Sequence, residues 1–105
     1  MADQPSSSEK DADRAPKVHE LKTIPYYYQA VWKGVKTFEA RKNDRDFRVG
    51  DLLHLREWDA TKKEYTGAEL ARRVTFILPP GACDTPHDLA IMAIVPEDLP
   101  EVAGG

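Results

Sequence analysis

A lysine, a carboxylate and an arginine follow one another closely in Gly34-Val-Lys36-Thr-Phe-Glu39-Ala-Arg41. The two-residue period from Lys36 to Lys42 predicts an extended strand, with Thr37, Glu39 and Arg41 on one face and Phe38 and Ala40 on the other. In that geometry Glu39 and Arg41 lie about 7 Å apart, close enough to pair or to flank one ligand. Gly34 permits a sharp turn before the strand and brings the Lys36 ammonium towards its beginning. A guanidinium can fork onto a phosphate or stack on a base, and a carboxylate can accept a base's exocyclic amine. The trio therefore suits a cleft that recognises a nucleobase with its phosphate. The alternative is an internal ion-pair network that braces the turn.

Neighbouring segments add weaker candidates. The polar turn Lys42-Asn-Asp-Arg-Asp46 offers Lys42 and Arg45 to a phosphate backbone, although Asp44 and Asp46 dilute the field. Arg56, Arg72 and Arg73 can extend a basic surface, and Trp58, between Glu57 and Asp59, can act as a stacking platform. Tyr26, Tyr27, Tyr28 and Trp32 stand at helical spacing and read first as core, with one of the tyrosines turned outward. His19, His54 and His87 are scattered and have no ligand spacing, so neither a metal nor another cofactor is expected. Gly67 and Gly81 stand alone, not in a phosphate-cradling loop, and Cys83 lies in a proline-rich loop with no evident base nearby.

The elements that must position these residues follow from periodicity. Val18 to Lys22 alternates and predicts a first strand. Thr23-Ile24-Pro25 has the form of a helix start, with Thr23 as cap, and the helix should run to about Lys33 and stop at Gly34. Val49-Gly50-Asp51 reads as the entry to a strand through Trp58, Asp59 to Gly67 as a hairpin loop, and Ala68 to Leu78 as a long strand with Leu70, Val74, Phe76 and Leu78 on one face. Pro79 to Asp88 must be a loop, and the apolar run Leu89–Val95 predicts a strand covered on both faces. One helix with four or five strands makes an α+β domain over residues 18–95, most economically a small barrel with the helix packed at one end. Residues 1–17 and 96–105 read as disordered tails.

Composition narrows the setting. The 105 residues carry a formal net charge of −3, but the acids concentrate at the ends. Residues 18–95 hold 12 Lys or Arg against 11 Asp or Glu, and 33–48 hold six bases against three acids, which is compatible with an anionic partner. A single cysteine cannot form an internal disulfide, and the N-terminus lacks the basic and apolar regions of a signal peptide. No apolar run approaches the roughly 20 residues needed to span a bilayer. A cytoplasmic, monomeric protein without membrane contact is the expectation.

The segment Gly34-Val-Lys36-Thr-Phe-Glu39-Ala-Arg41 resembles the G-x-K-x-x-E-x-R signature of the ASCH superfamily, which has PUA-like folds. Three blocks resemble more narrowly the small bacterial and phage proteins of the DUF3850 family: His19–Lys22; Lys36–Arg45 with Val49-Gly-Asp51; and Leu55–Asp59 with Tyr65-Thr-Gly67 and Arg72–Thr75. The resemblance implies a PUA-like barrel with a ligand cleft and an RNA-binding role, and adds Lys22 as a further cleft residue. Some ASCH relatives are amidohydrolases acting on acetylated cytidine, with a threonine nucleophile three positions after the motif lysine. Here that position is Glu39, and Thr37 cannot replace it. Other relatives are ribonucleases. Were the cleft catalytic, Lys36 and Glu39 would carry the chemistry.

The expectation is thus binding of RNA or a nucleotide-like ligand by Lys36, Glu39 and Arg41, with Lys22, Lys42, Arg45 and Trp58 in support. A hydrolase of a modified nucleoside or of RNA is the alternative. A protein-interaction module using the acidic ends is a third reading.

Overall fold

The computed structural model describes residues 14–99. Its elements are β1 (Val18–Thr23), α1 (Pro25–Trp32), β2 (Phe38–Lys42), β3 (Leu52–Asp59), β4 (Glu64–Leu78), a short 3-10 turn at Ala82–Asp84, and β5 (Leu89–Glu97). The strands form one curled sheet, a half-barrel, in the order β1-β3-β4-β5-β2. β1 runs parallel to β3, and the other neighbours are antiparallel. Among the described residues no helix is long and apolar enough to cross a membrane.

Alternation builds the core. His19, Leu21 and Thr23 of β1 point inward, as do Leu53 and Leu55 of β3 and Ala90, Met92 and Ile94 of β5. Tyr28 and Val31 bring α1 onto this apolar face, joined by Leu70, Val74 and Phe47. Arg72 Nη2 donates to the Val31 carbonyl (3.1 Å), which also accepts the Gly34 N–H (3.0 Å), so a strand side chain ties the helix end to the sheet. Gly34, at φ +82°, reverses the chain there, and the Val35 and Lys36 N–H groups both bond to the Ala30 carbonyl.

Several expectations shift. Thr23 does not cap the helix: it is the last residue of β1, its hydroxyl donates to the Leu21 carbonyl, and Ile24 is the N-cap residue without a side-chain bond. The helix ends at Trp32, one residue early. Strand β3 begins at Leu52, directly after the expected entry Val49–Asp51, but the hairpin loop is shorter than expected because β4 already starts at Glu64. Asp59 organises that turn, its Oδ1 accepting from the Thr61 and Lys62 N–H groups. A bulge between Val74 and Phe76 breaks the even phase of β4. Phe76 consequently faces solvent at 62% exposure, while Ile77 packs on the core. Strand β5 buries Ala90, Met92 and Ile94 on one face and half-buries Leu89, Ile91 and Ala93 on the other, and it extends to Glu97, so Pro96 and Glu97 belong to the sheet. Of the aromatic helix residues only Tyr28 is core; Tyr26, Tyr27 and Trp32 are exposed.

The N-terminal boundary also moves. Residues 1–13 and 100–105 of the expected tails lie outside the described residues. Arg14, in contrast, forks onto both Asp51 oxygens at 2.9 and 3.0 Å. Asp51 accepts further bonds from the Lys17 and Arg48 N–H groups and from His19 Nε2 at 2.7 Å. Burial opposes ionisation of this carboxyl, yet the bonds from Arg14, Lys17, His19 and Arg48 outweigh it and hold Asp51 well below the usual carboxylate range. One buried carboxylate thereby ties residues 14–17, β1 and the start of β3 together.

Candidate functional site

The half-barrel is not closed by a backbone ladder. Its two edge strands, β1 and β2, face each other across a seam bridged by arginines. Arg41 Nη2 donates to the Lys22 carbonyl at 2.9 Å, and Arg45 Nη1 to the Glu20 carbonyl at 2.7 Å. Alternate carbonyls of an edge strand point the same way, so both bonds fall on the outward edge of β1.

At this seam, where the chain leaves β1, forms α1 and returns through Gly34 into β2, lies a cavity of about 580 Å³. Lys22, Thr23, Ile24 and Tyr27 form one wall, and Lys36, Phe38, Glu39, Ala40 and Arg41 the other. Both faces of β2 contribute, the charged side through Glu39 and Arg41 and the apolar side through Phe38 and Ala40, because an edge strand can be reached from both sides. The volume is that of a small-molecule pocket, for which roughly 300–1,000 Å³ is ordinary.

The charges are arranged around Glu39, which is only 3% exposed. Its Oε1 accepts from Lys36 Nζ at 3.0 Å and its Oε2 from Arg41 Nε at 2.7 Å. Lys36 Nζ also donates to the Phe38 carbonyl at 2.8 Å and lies 4.8 Å from the Phe38 ring and 5.7 Å from that of Tyr27. Arg41 Nη2 reaches the Thr23 hydroxyl at 3.0 Å in addition to the Lys22 carbonyl. Glu39 therefore has both oxygens engaged, and its carboxylate positions the two cations. Lys36 retains a third N–H, and Arg41 Nη1 has no hydrogen-bond partner among the described residues. Lys22 Nζ sits 4.0 Å over the Trp58 ring at the rim. Three cations against one carboxylate leave the lining two positive charges in excess, beside the apolar surfaces of Ile24, Tyr27 and Phe38.

The structure thus brings Lys22, Lys36, Glu39 and Arg41 to one cavity. Lys42 and Arg45 do not line it: Lys42 is exposed at the end of β2, and Arg45 braces β1. Trp58 stands outside the lining, joined to it through Lys22. Sequence reading missed the walls formed by Thr23, Ile24, Tyr27, Phe38 and Ala40. Period-two alternation assigns Phe38 to the face opposite Glu39, and nothing in a pattern says that β2 is an edge. Among the described residues no group of three or more His, Cys, Asp or Glu side chains is placed to hold a metal ion.

An uncharacterized 12.9 kDa protein from the GpA 3′ region of Escherichia phage P2 is 39% identical over 61 residues, a match spanning 58% of this chain and 54% of the phage protein. The chain thus covers about half the length of that relative. The family model described as a domain of unknown function, DUF3850, matches residues 18–94, which include every residue lining the cavity. This chain belongs to the DUF3850 family.

Proposed function

We propose that the cavity binds a nucleotide-like anion, either a free nucleotide or a nucleotide of an RNA, and that the curled sheet is a PUA-like barrel of the ASCH type working in the cytoplasm. The observation that carries this reading is the excess of cationic N–H groups over carboxylate in a pocket with aromatic walls. Lys22, Lys36 and Arg41 supply donors for a phosphate. Tyr27 and Phe38 supply flat apolar surface for a base. Glu39 holds Lys36 and Arg41 apart and aimed, so base recognition falls to the walls and to the remaining N–H groups. A carboxylate this enclosed and doubly paired favours binding over acid–base hydrolysis.

The test is titration of the protein with the four ribonucleoside 5′-monophosphates and with the corresponding nucleosides, following backbone amides of residues 22–41 by NMR. Monophosphates should shift these amides and nucleosides should do so far more weakly. Lys22→Ala, which removes a side chain with no hydrogen bond to the described residues and so spares the fold, should weaken monophosphate binding about tenfold, as for one lost charge-assisted bond. If no nucleotide perturbs residues 22–41 at millimolar concentration, the cavity has another purpose.

A further inference from the structure

We propose that the ligand is one nucleotide of a single-stranded nucleic acid, and that its neighbour rests on a second subsite made by Trp58 and Tyr65 outside the cavity. This inference deepens the nucleotide reading of the cavity and rests on it.

The second subsite begins at Lys22. Its backbone lies opposite Arg56 in the β1–β3 register, and Trp58 lies opposite Tyr65 in the β3–β4 register. Strand β3 keeps its alternation through this point, with Glu57 buried and Trp58 on the side of the exposed Lys22, while an irregularity between the Arg56–Glu69 and Trp58–Tyr65 pairs places the extra residues in β4. The Trp58 and Tyr65 rings meet edge to face, with centroids 4.9 Å apart and planes at 75°. The Arg56 guanidinium stacks 3.7 Å over the Tyr65 ring and is anchored by Glu20 at 2.8 Å. Three adjacent strands thus place two cations and two aromatic rings in one cluster, and Lys22 belongs to both the cluster and the cavity.

That shared lysine is the reason to infer a strand in place of a lone nucleotide. A phosphodiester held by Lys22 has one nucleoside on its cavity side and the next on the side of Trp58. Stacking of a base on an indole outweighs an exposed ammonium–ring contact, so an incoming base can displace the Lys22 ammonium from the ring. The displaced ammonium is then available to the phosphate that arrives with the base. Arg56, flat over Tyr65, presents a second plane for stacking. The acidic neighbours Glu20 and Glu69 are committed to Arg56 and His54, and they keep phosphates on the Lys22 side of the cluster.

The test compares ribonucleoside monophosphates with homopolymeric tetranucleotides of RNA and DNA, using indole fluorescence in a Trp32→Phe background so that Trp58 is the reporter. Tetranucleotides should bind at least about tenfold more tightly than monophosphates and quench Trp58, in line with base–aromatic stacking. Trp58→Ala should bring the ratio of tetranucleotide to monophosphate affinity close to one, and Trp58→Phe, which retains a stacking face, should restore most of it. Equal affinity for monophosphates and tetranucleotides, or a ratio unchanged in Trp58→Ala, would overturn the second subsite while leaving the cavity reading intact. Absence of binding to either probe would end both.

Discussion

Arg41, on one edge strand, donates from Nη2 to the main-chain carbonyl of Lys22, on the other, at 2.9 Å. The two strands share no backbone ladder, so this guanidinium stands in for one. The same side chain holds Glu39 at 2.7 Å and the Thr23 hydroxyl at 3.0 Å, and it lines the cavity. Arg41 therefore serves both closure of the sheet, which it shares with Arg45, and construction of the site.

Arg41→Lys keeps the positive charge but cannot bond Glu39, the Lys22 carbonyl and Thr23 together. It should destabilise the protein by about 1–2 kcal/mol, which urea denaturation can measure. Wild-type stability in this variant would show that the seam is held by other contacts.

Glu39→Ala should cost more, about 3 kcal/mol, because it leaves two cations facing each other without their shared carboxylate. Glu39→Gln keeps the shape and one acceptor and should cost about 1–2 kcal/mol. The order of the two midpoints in a denaturant series checks the claim, and an inverted order would contradict a positioning role for the carboxylate.

Asp51 predicts a specific acid sensitivity. Its folded carboxyl titrates below its unfolded counterpart, so its stabilisation is complete above the ordinary aspartate value of about 3.9 and is lost as pH falls towards the depressed folded value. Urea midpoints recorded between about pH 5 and 2 should fall steeply for the wild type, and Asp51→Asn should flatten that limb while lowering stability at neutral pH. Parallel curves would show that Asp51 does not set the acid limb of stability.

Gly34→Ala isolates a backbone effect. The position sits at φ +82°, and a Cβ there would meet nothing within 4 Å, so the cost is conformational and not steric. A loss of about 1 kcal/mol is expected, with the calorimetric midpoint as readout.

Local sequence carried much of this structure. The alternation of His19, Leu21 and Thr23 against Glu20 and Lys22, the glycine stop at Gly34, and the strand through Glu39 and Arg41 follow from side-chain period and backbone sterics, which act within a few residues. What the pattern could not hold was strand order, because pairing β2 with β5 and leaving β1 at the far edge is settled by which apolar faces bury one another. Bulges escaped it as well: the one before Phe76 inverts two outward and inward assignments, since a single extra residue reverses every later side chain. The charged trio was visible in the chain, but its division of labour was not. Burial and the approach of β1, nineteen residues earlier for the Arg41–Lys22 bond, turned Glu39 into the internal partner and left Lys22, Lys36 and Arg41 around an opening. The types of residue and their local spacing belong to the sequence; which of them face a cavity together is a property of distant strands brought edge to edge by a shared core.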